Sequence, residues 1–456
     1  MKVLIVSFAF PPSNVIGAVR VGKLARYLDR RGHDIRVLTT DIVEDRSLPL
    51  EIPREQVVYT DYREQCHGLD RMARWLRGRR AAPTGAPTEQ SSPRPLESSL
   101  RERLRRHYLA LIHVPDPRAD WLRTAIPAGR QLIEEAKPEI VFASAPPNTG
   151  LIVASRLARA YNLPWVADFR DLWVDNPYYD EPSWRKPVDA ILERRVLKHA
   201  AGLVTVSPIS ADQLRRRHGK TATVVYNGYA EEDFPSHWPT AEAGETLTIR
   251  YLGSIYRGFR DPSALFAAIA LLPDRLRARM NVEFFSDAED AVLAAAAAHR
   301  VESAVAVKPR IPYWQALERQ MEADVLLLLQ SSDQRDEGNL PAKLFEYLYA
   351  RRPILFIGYK DGIGARLVIE RGAGLVSSSP AEIRDQLERW LDDKRAGRLG
   401  TLDRSVARGL SRDDQYAKLE RILMDILENR DRANCLQFAQ ARASARPVLP
   451  TGDDGA

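Results

Sequence analysis

The chain opens MKVLIVSFAF and then repeats one alternation nearly to its end: a short apolar run, a turn, an amphipathic segment. In the first half KVLIVSF, DIRVLTT, EIVFASA, PWVADF, LVTVS and ATVVYNG read as strands. Between them VRVGKLARYLDRRG (closed by Gly32), TAIPAGRQLIEEA, TGLIVASRLARAYN, DAILERRVLKHA and ISADQLRRRHG read as helices. A polar stretch from about Pro235 to Glu245 breaks the pattern, which then restarts. TIRYLGS, NVEFFSD, VLLLLQ, PILFIGY and GLVSS are strands there, and SALFAAIALL, EDAVLAAAAAH, ALERQM, GARLVIERG and AEIRDQLERWLDD are helices. Apolar strands joined through helices must be covered on both faces, which makes the sheet parallel. The expected class is α/β, with two doubly wound, Rossmann-like domains over residues 1–234 and 245–405. An amphipathic helix follows over 411–429, and residues 430–456 read as a disordered tail. Ligands of such folds bind at the carboxyl ends of the strands, so the cleft between the domains is the expected site.

Composition narrows the class. Of 456 residues, 45% are hydrophobic and 28% charged, as in a soluble globular protein. The two cysteines, Cys66 and Cys435, lie far apart, which argues against a disulfide framework and fits a reducing compartment. No run reaches membrane length, and the N-terminal apolar run is too short for a signal peptide. The net charge of +6 is uneven: residues 71–106 hold ten arginines against Glu89, Glu97 and Glu102, leaving −1 for the rest. This stretch lies in an insertion over about 62–118, where a Pro/Ser/Thr-rich linker separates RMARWLRGRR from LRERLRRHYLALI. Trp75, Leu76, Leu104, Tyr108 and Leu109 accompany the arginines, a mixture suited to an anionic membrane surface. Nucleic acid competes as partner, and a solvated insertion is the plainer alternative.

Several charged residues fall at strand ends. In GNLPAKLFEYLYARRPIL a loop with Gly338 and Asn339 feeds a helix near Pro341, and Pro353 stops it. Lys343 in its first turn opposes the helix dipole, and a bound phosphate would suit both the lysine and the unpaired N–H groups. The alternative is a solvated Lys343–Glu346 pair at i,i+3. FPPSNVIGAVR places Gly17 where a backbone can approach a ligand, and Arg20 in the next helical turn. No G-x-G-x-x-G occurs there, so a dinucleotide cofactor is not supported. DFRDLW gathers Asp168, Arg170 and Asp171, either to orient hydroxyls and offset charge or as an ion cluster capping the sheet. IYRGFRD puts Arg257 and Arg260 on a loop, to hold a diphosphate or to stand in solvent.

Taken in order, FPPSNVIGAVRVGKLARYLDRRGHDIRVLTT, SPISADQL, VVYNGYAEEDF, YLGSIYRGFRDP and NLPAKLFEYLYARRPIL resemble the blocks of the retaining GT-B glycosyltransferases of family 4. SAPPNTG followed by DFRDLW is similar to members that build cell-surface polysaccharides. The resemblance implies that the N-terminal domain takes a saccharide acceptor and the C-terminal domain a nucleotide-sugar donor; the lack of a spanning segment and the arginines of residues 71–106, mixed with Trp75, Leu104 and Tyr108, add the expectation that the acceptor is lipid-linked. It implies Glu346 on the donor ribose and the N–H groups of Asn339 and Leu340 on the diphosphate. Arg257 or Arg260, with Lys343, would neutralise that diphosphate. Gly17 and Ser254, from the two glycine loops, complete the donor set; Arg20 and Asn148 fall on the acceptor side, and Asp168, Arg170 and Asp171 in the catalytic region. It further implies retention at the anomeric carbon, the departing phosphate helping to take the acceptor proton. Two positions depart from the pattern. Gly338, with Glu337 beside it, stands where many members have a second glutamate, and Arg170 where a histidine is usual. Neither a metal nor another cofactor is expected, nor nucleic acid. The expected place of work is the cytoplasm, on the inner face of the cell membrane. A sugar-nucleotide epimerase on the same fold and a basic polyanion-binding scaffold are the alternatives.

Overall fold

In the computed structural model, described over residues 1–41, 46–62, 100–238, 244–255 and 259–444, every strand of the two sheets pairs in parallel. The first sheet contains β1 (Lys2–Ser7), β2 (Asp34–Thr40), β3 (Val57–Thr60), β4 (Ile140–Ala145), β5 (Trp165–Phe169), β6 (Gly202–Thr205) and β7 (Ala222–Val224). Its order is β3-β2-β1-β4-β5-β6-β7. The second contains β8 (Leu247–Leu252), β9 (Met280–Phe285), β10 (Val305–Lys308), β11 (Val325–Leu329), β12 (Ile354–Ile357) and β13 (Gly374–Val376), in the order β10-β9-β8-β11-β12-β13. Strand order reverses between β1 and β4 and again between β8 and β11. These are the topological switch points where loops part and a crevice opens. The loops after β1, β4, β8 and β11, together with the helices they lead into, carry most of the residues singled out above.

The inner strands form because their side chains are apolar on both faces: Leu4, Ile5 and Val6 of β1 and Leu326 and Leu327 of β11 are fully buried. Ile16–Arg30 is the first crossover helix, and it ends where Gly32 takes φ +81°, a conformation costly for any side chain. Two strands were not anticipated, β3 and β10. Both are four residues long and lie at a sheet edge, with only one neighbour each.

The final helix corrects the expected boundary at 429. It runs Arg412–Ser444, into the stretch expected to be a disordered tail. Residues 430–444 contain neither glycine nor proline, so the helix continues past the end of the apolar stripe. Residues 445–456 lie outside the described residues. Its buried face packs away from the sheet that precedes it: Tyr416, Leu419 and Leu423 join Val3, Ile5, Val37 and Val166 in the first domain's core. Of the basic insertion, Leu100–Ile112 is a helix as expected, while RMARWLRGRR and the linker fall outside the described residues. No helix among the described residues is long and apolar enough to cross a membrane.

Candidate active site

At the first switch point the strongest charges neutralise one another. Arg20 donates from Nε and Nη2 to both oxygens of Asp168, at 3.0 and 2.8 Å. Ser144, opposite Asp168 in the β4–β5 register, donates to the same carboxylate at 2.8 Å. The remaining Arg20 donors meet the carbonyls of Val225 and Tyr226 and the side chain of Asn227. Tyr416 of the final helix bonds the Arg20 carbonyl at 2.8 Å. Arg20 is 4% exposed and Asp168 0%. Burial works against the Arg20 charge, but the Asp168 charge and hydrogen bond outweigh it and hold the guanidinium above its ordinary range. Asp168, expected in the catalytic region, and Arg20, expected on the acceptor side, thus engage each other, and their contacts tie the first helix to β5, to the residues after β7 and to the final helix.

The neighbouring residues differ. Gly17 is buried against Arg170: a Cβ there would lie 2.3 Å from Arg170 Nη1. The glycine therefore makes room for a guanidinium of its own chain, where the sequence suggested a ligand. Arg170 also donates to the Pro146 carbonyl. Asn148 does not cap the Thr149–Ala160 helix with its side chain. Asp116 does, accepting from the Thr149 N–H and hydroxyl at 2.8 Å each. Sequence reading missed Asp116, which lies 33 residues away. Asp171 reaches solvent from a recess whose walls desolvate it, pushing its carboxyl up, with Arg170 partly opposing.

The second switch point gathers cations instead. The Ala342–Ala350 helix starts after Pro341 without a side-chain cap and without an acid in its first turn. Lys343 there is half-buried. Its Nζ donates to the Leu252 carbonyl at 2.6 Å and lies 4.8 Å from the Tyr251 ring centroid. Gly253, at φ +143°, permits this: a Cβ would lie 2.3 Å from Lys343 Nζ. Arg260 donates to the Ser254 carbonyl at 3.1 Å, and Tyr251 to the same oxygen at 2.7 Å. Burial first, then the Arg260 charge, push the Lys343 ammonium down to about 7, with Glu346 opposing. Arg257 lies outside the described residues.

The solvated Lys343–Glu346 pair is not what forms. Glu346 is buried and accepts from Gln320 at 3.1 Å and Tyr313 at 3.3 Å. A carboxylate offers about four acceptor positions, so two such bonds leave capacity for hydroxyls. Arg412, buried at the start of the final helix, is charged against the burial that opposes it by Tyr313, Tyr416, Asp233 and Glu346. Nothing in SRDDQYAKLE marked it. In the loop before the helix the Asn339 N–H, expected on the diphosphate, is used within its own turn, on the Asp336 carbonyl at 2.9 Å, and the Leu340 side chain packs in the core. Glu337 pairs with Arg366 at 3.3 Å.

Contacts across the cleft were not legible either. The Tyr178 hydroxyl donates to the buried Asp336. Its ring meets Phe259 edge-on at 5.1 Å, and Arg335 lies 5.5 Å from the ring centroid. Ile209 of the first domain approaches Gly338, whose Cβ would come within 3.2 Å of it. Among the described residues no three His, Cys, Asp or Glu side chains are grouped to hold a metal ion.

Residues 17–230 match the family described as the glycosyl transferase 4-like domain. No curated protein matches the sequence. Among solved structures, sucrose-phosphate synthase from Thermosynechococcus elongatus is 15% identical, at TM-score 0.56, covering 96% of this chain and 100% of that one. HepE from Anabaena, in complex with UDP, is 12% identical at TM-score 0.58, covering 93% and 100%. A putative UDP-N-acetylglucosamine 2-epimerase from Listeria monocytogenes is 13% identical at TM-score 0.55, covering 94% and 97%. At such identities these likenesses establish the fold, the two-domain GT-B architecture expected from the sequence. The domain match adds support for glycosyl transfer, which the fold alone, shared with the epimerase, does not distinguish.

Proposed function

From a GT-B chain whose residues 17–230 form a glycosyl transferase 4-like domain, we propose a retaining transferase that moves sugar from a nucleotide-sugar donor to a lipid-linked saccharide acceptor. The observation that carries the donor side is Lys343, in the uncapped first turn of its helix and close to Arg260, with its charge suppressed. A diphosphate placed there would restore that charge and meet the helix N–H groups. Glu346 binds the ribose. Lys343, Arg260 and the helix dipole stabilise the leaving diphosphate, which helps to take the acceptor proton. Asp171, exposed at the β5 end, orients the acceptor hydroxyl. No metal or other cofactor is required.

The acceptor places the enzyme in surface polysaccharide synthesis, peripheral to the cytoplasmic face of the cell membrane. HepE was crystallised with UDP, which makes UDP the first ligand to try. The test is a thermal-shift screen of the full chain against UDP, GDP, ADP and TDP, followed by product analysis with the matching nucleotide sugar. One nucleotide should stabilise the fold, by about 2.7 kcal/mol at a hundredfold excess over Kd. Transfer should then give a retained glycoside. No stabilisation by any nucleotide contradicts the proposal, and an epimerised sugar nucleotide without transfer replaces it.

A further inference from the structure

Five of the eleven exposed large hydrophobics among the described residues lie on two adjoining helices of the first domain. On Arg185–Leu197 and the residue before it, Trp184, Val188 and Ile191 are 37%, 41% and 50% exposed. Their i, i+4, i+7 spacing puts them on one face. On Leu100–Ile112, Leu104 and Leu111 are 62% and 64% exposed, also seven residues apart. His107, exposed between them, accepts a 2.9 Å hydrogen bond from Trp184 Nε1 and joins the two stripes. Arg185, fully buried, staples the helices: it donates to the carbonyls of Ala110, His113 and Pro115 while pairing with Asp189 at 2.8 Å.

The charges around the stripes are one-sided. Arg105, Arg106, Lys186, Arg194, Arg195 and Lys198 are exposed. The acids of the second helix, Asp189 and Glu193, are each 1% exposed and turned inward. Among the residues whose side chains are described, Asp180 and Glu181, N-terminal to the second helix, are the exposed acids nearest to it in sequence; the first helix also carries Glu102. Apolar stripes flanked by cations, with the acids withdrawn, fit the boundary of an anionic bilayer, where apolar side chains enter the acyl region and arginines meet head groups.

We propose that this pair of helices is the membrane-docking surface, with Trp184, Val188 and Ile191 as its inserted edge and an anionic lipid bilayer as its partner. The inference rests on the peripheral location proposed above and adds that a folded surface, apart from the arginine-rich linker, makes the contact. It would present the acceptor domain to lipid-linked saccharides.

The test is co-sedimentation of the full chain with phosphatidylcholine vesicles, with and without phosphatidylglycerol. Wild type is compared with Trp184→Ser/Val188→Ser/Ile191→Ser and with Leu104→Ser/Leu111→Ser, each checked by its melting transition. Both variants should melt as wild type does and lose at least about tenfold in partitioning to the anionic vesicles. If wild type binds and both folded variants bind equally well, this surface is not the contact while the peripheral location stands. If wild type does not bind anionic vesicles, both fail. If wild type dimerises in sedimentation velocity and the triple variant is monomeric with unchanged vesicle binding, the face belongs to a second copy of the chain and the lipid assignment is overturned.

Discussion

The two switch points of this molecule present the same kind of residue, a cation in the first turns of a helix that follows a strand, and resolve it in opposite ways. Arg20 meets Asp168 across the β1, β4 and β5 strand ends, with five donors satisfied by side chains and carbonyls. Lys343 meets one carbonyl and an aromatic ring, with a second cation, Arg260, in its field. The first arrangement is complete without a ligand; on the proposed donor-site reading, the second becomes favourable when an anion arrives. Whether a charged residue at a strand end is structural or ligand-binding therefore depends on where its counter-charge lies, and a neighbouring strand supplies it in only one of the two domains.

The contrast is broken most severely by removing the internal counter-charge. Asp168→Ala should leave Arg20 buried and unpaired and lower stability by about 3–5 kcal/mol. Urea unfolding measures this; a loss under about 1 kcal/mol would mean the pair is not the structural clamp described. The reverse signature is expected at the second point. Glu346→Ala should fold normally and bind nucleoside diphosphate more weakly by about 1.5–3 kcal/mol, the worth of hydrogen bonds to a charged group. Unchanged affinity in calorimetry removes Glu346 from the donor site. Asp171→Asn sharpens the comparison further: nucleotide affinity should stay within about twofold of wild type while transfer falls about tenfold or more. Full transfer would leave Asp171 without a chemical role.

Much of this was readable along the chain. Inner strands announce themselves because both their faces are buried, as in VLLLLQ. The edge strands β3 and β10 do not, since VVYT and VAVK are short and pair on one side only. The candidate residues at the second switch point were visible because Ser254, Lys343 and Glu346 sit in local turn and helix signals. The pairings that decide their roles were not visible. Arg20 and Asp168 are 148 residues apart, and Tyr178 and Asp336 are 158 apart. The folded first sheet brings the former pair together and the meeting of the two domains the latter, so the first domain's DFRD motif read equally well as a catalytic group and as a cap. The expected end of the final helix failed for another reason: a tail of good helix formers keeps its backbone bonds after its apolar stripe has gone.

A further effect concerns pH. Lys343 is held near 7 in the folded chain against an ordinary 10.5. Between those values the unfolded chain binds the extra proton, so stability rises with pH from about 7 to about 10.5 and the full penalty is present below 7. Lys343→Met should flatten that slope in urea titrations at successive pH values.

The most direct measurement is proton uptake on nucleotide binding, by isothermal titration calorimetry at pH 8 in buffers of differing ionisation enthalpy. With Lys343 largely neutral there until a diphosphate arrives, wild type should take up close to one proton per nucleotide and Lys343→Met none, with weaker binding. Equal uptake by both proteins, or tight binding that does not depend on Lys343, would contradict the assignment of the second switch point as the donor site.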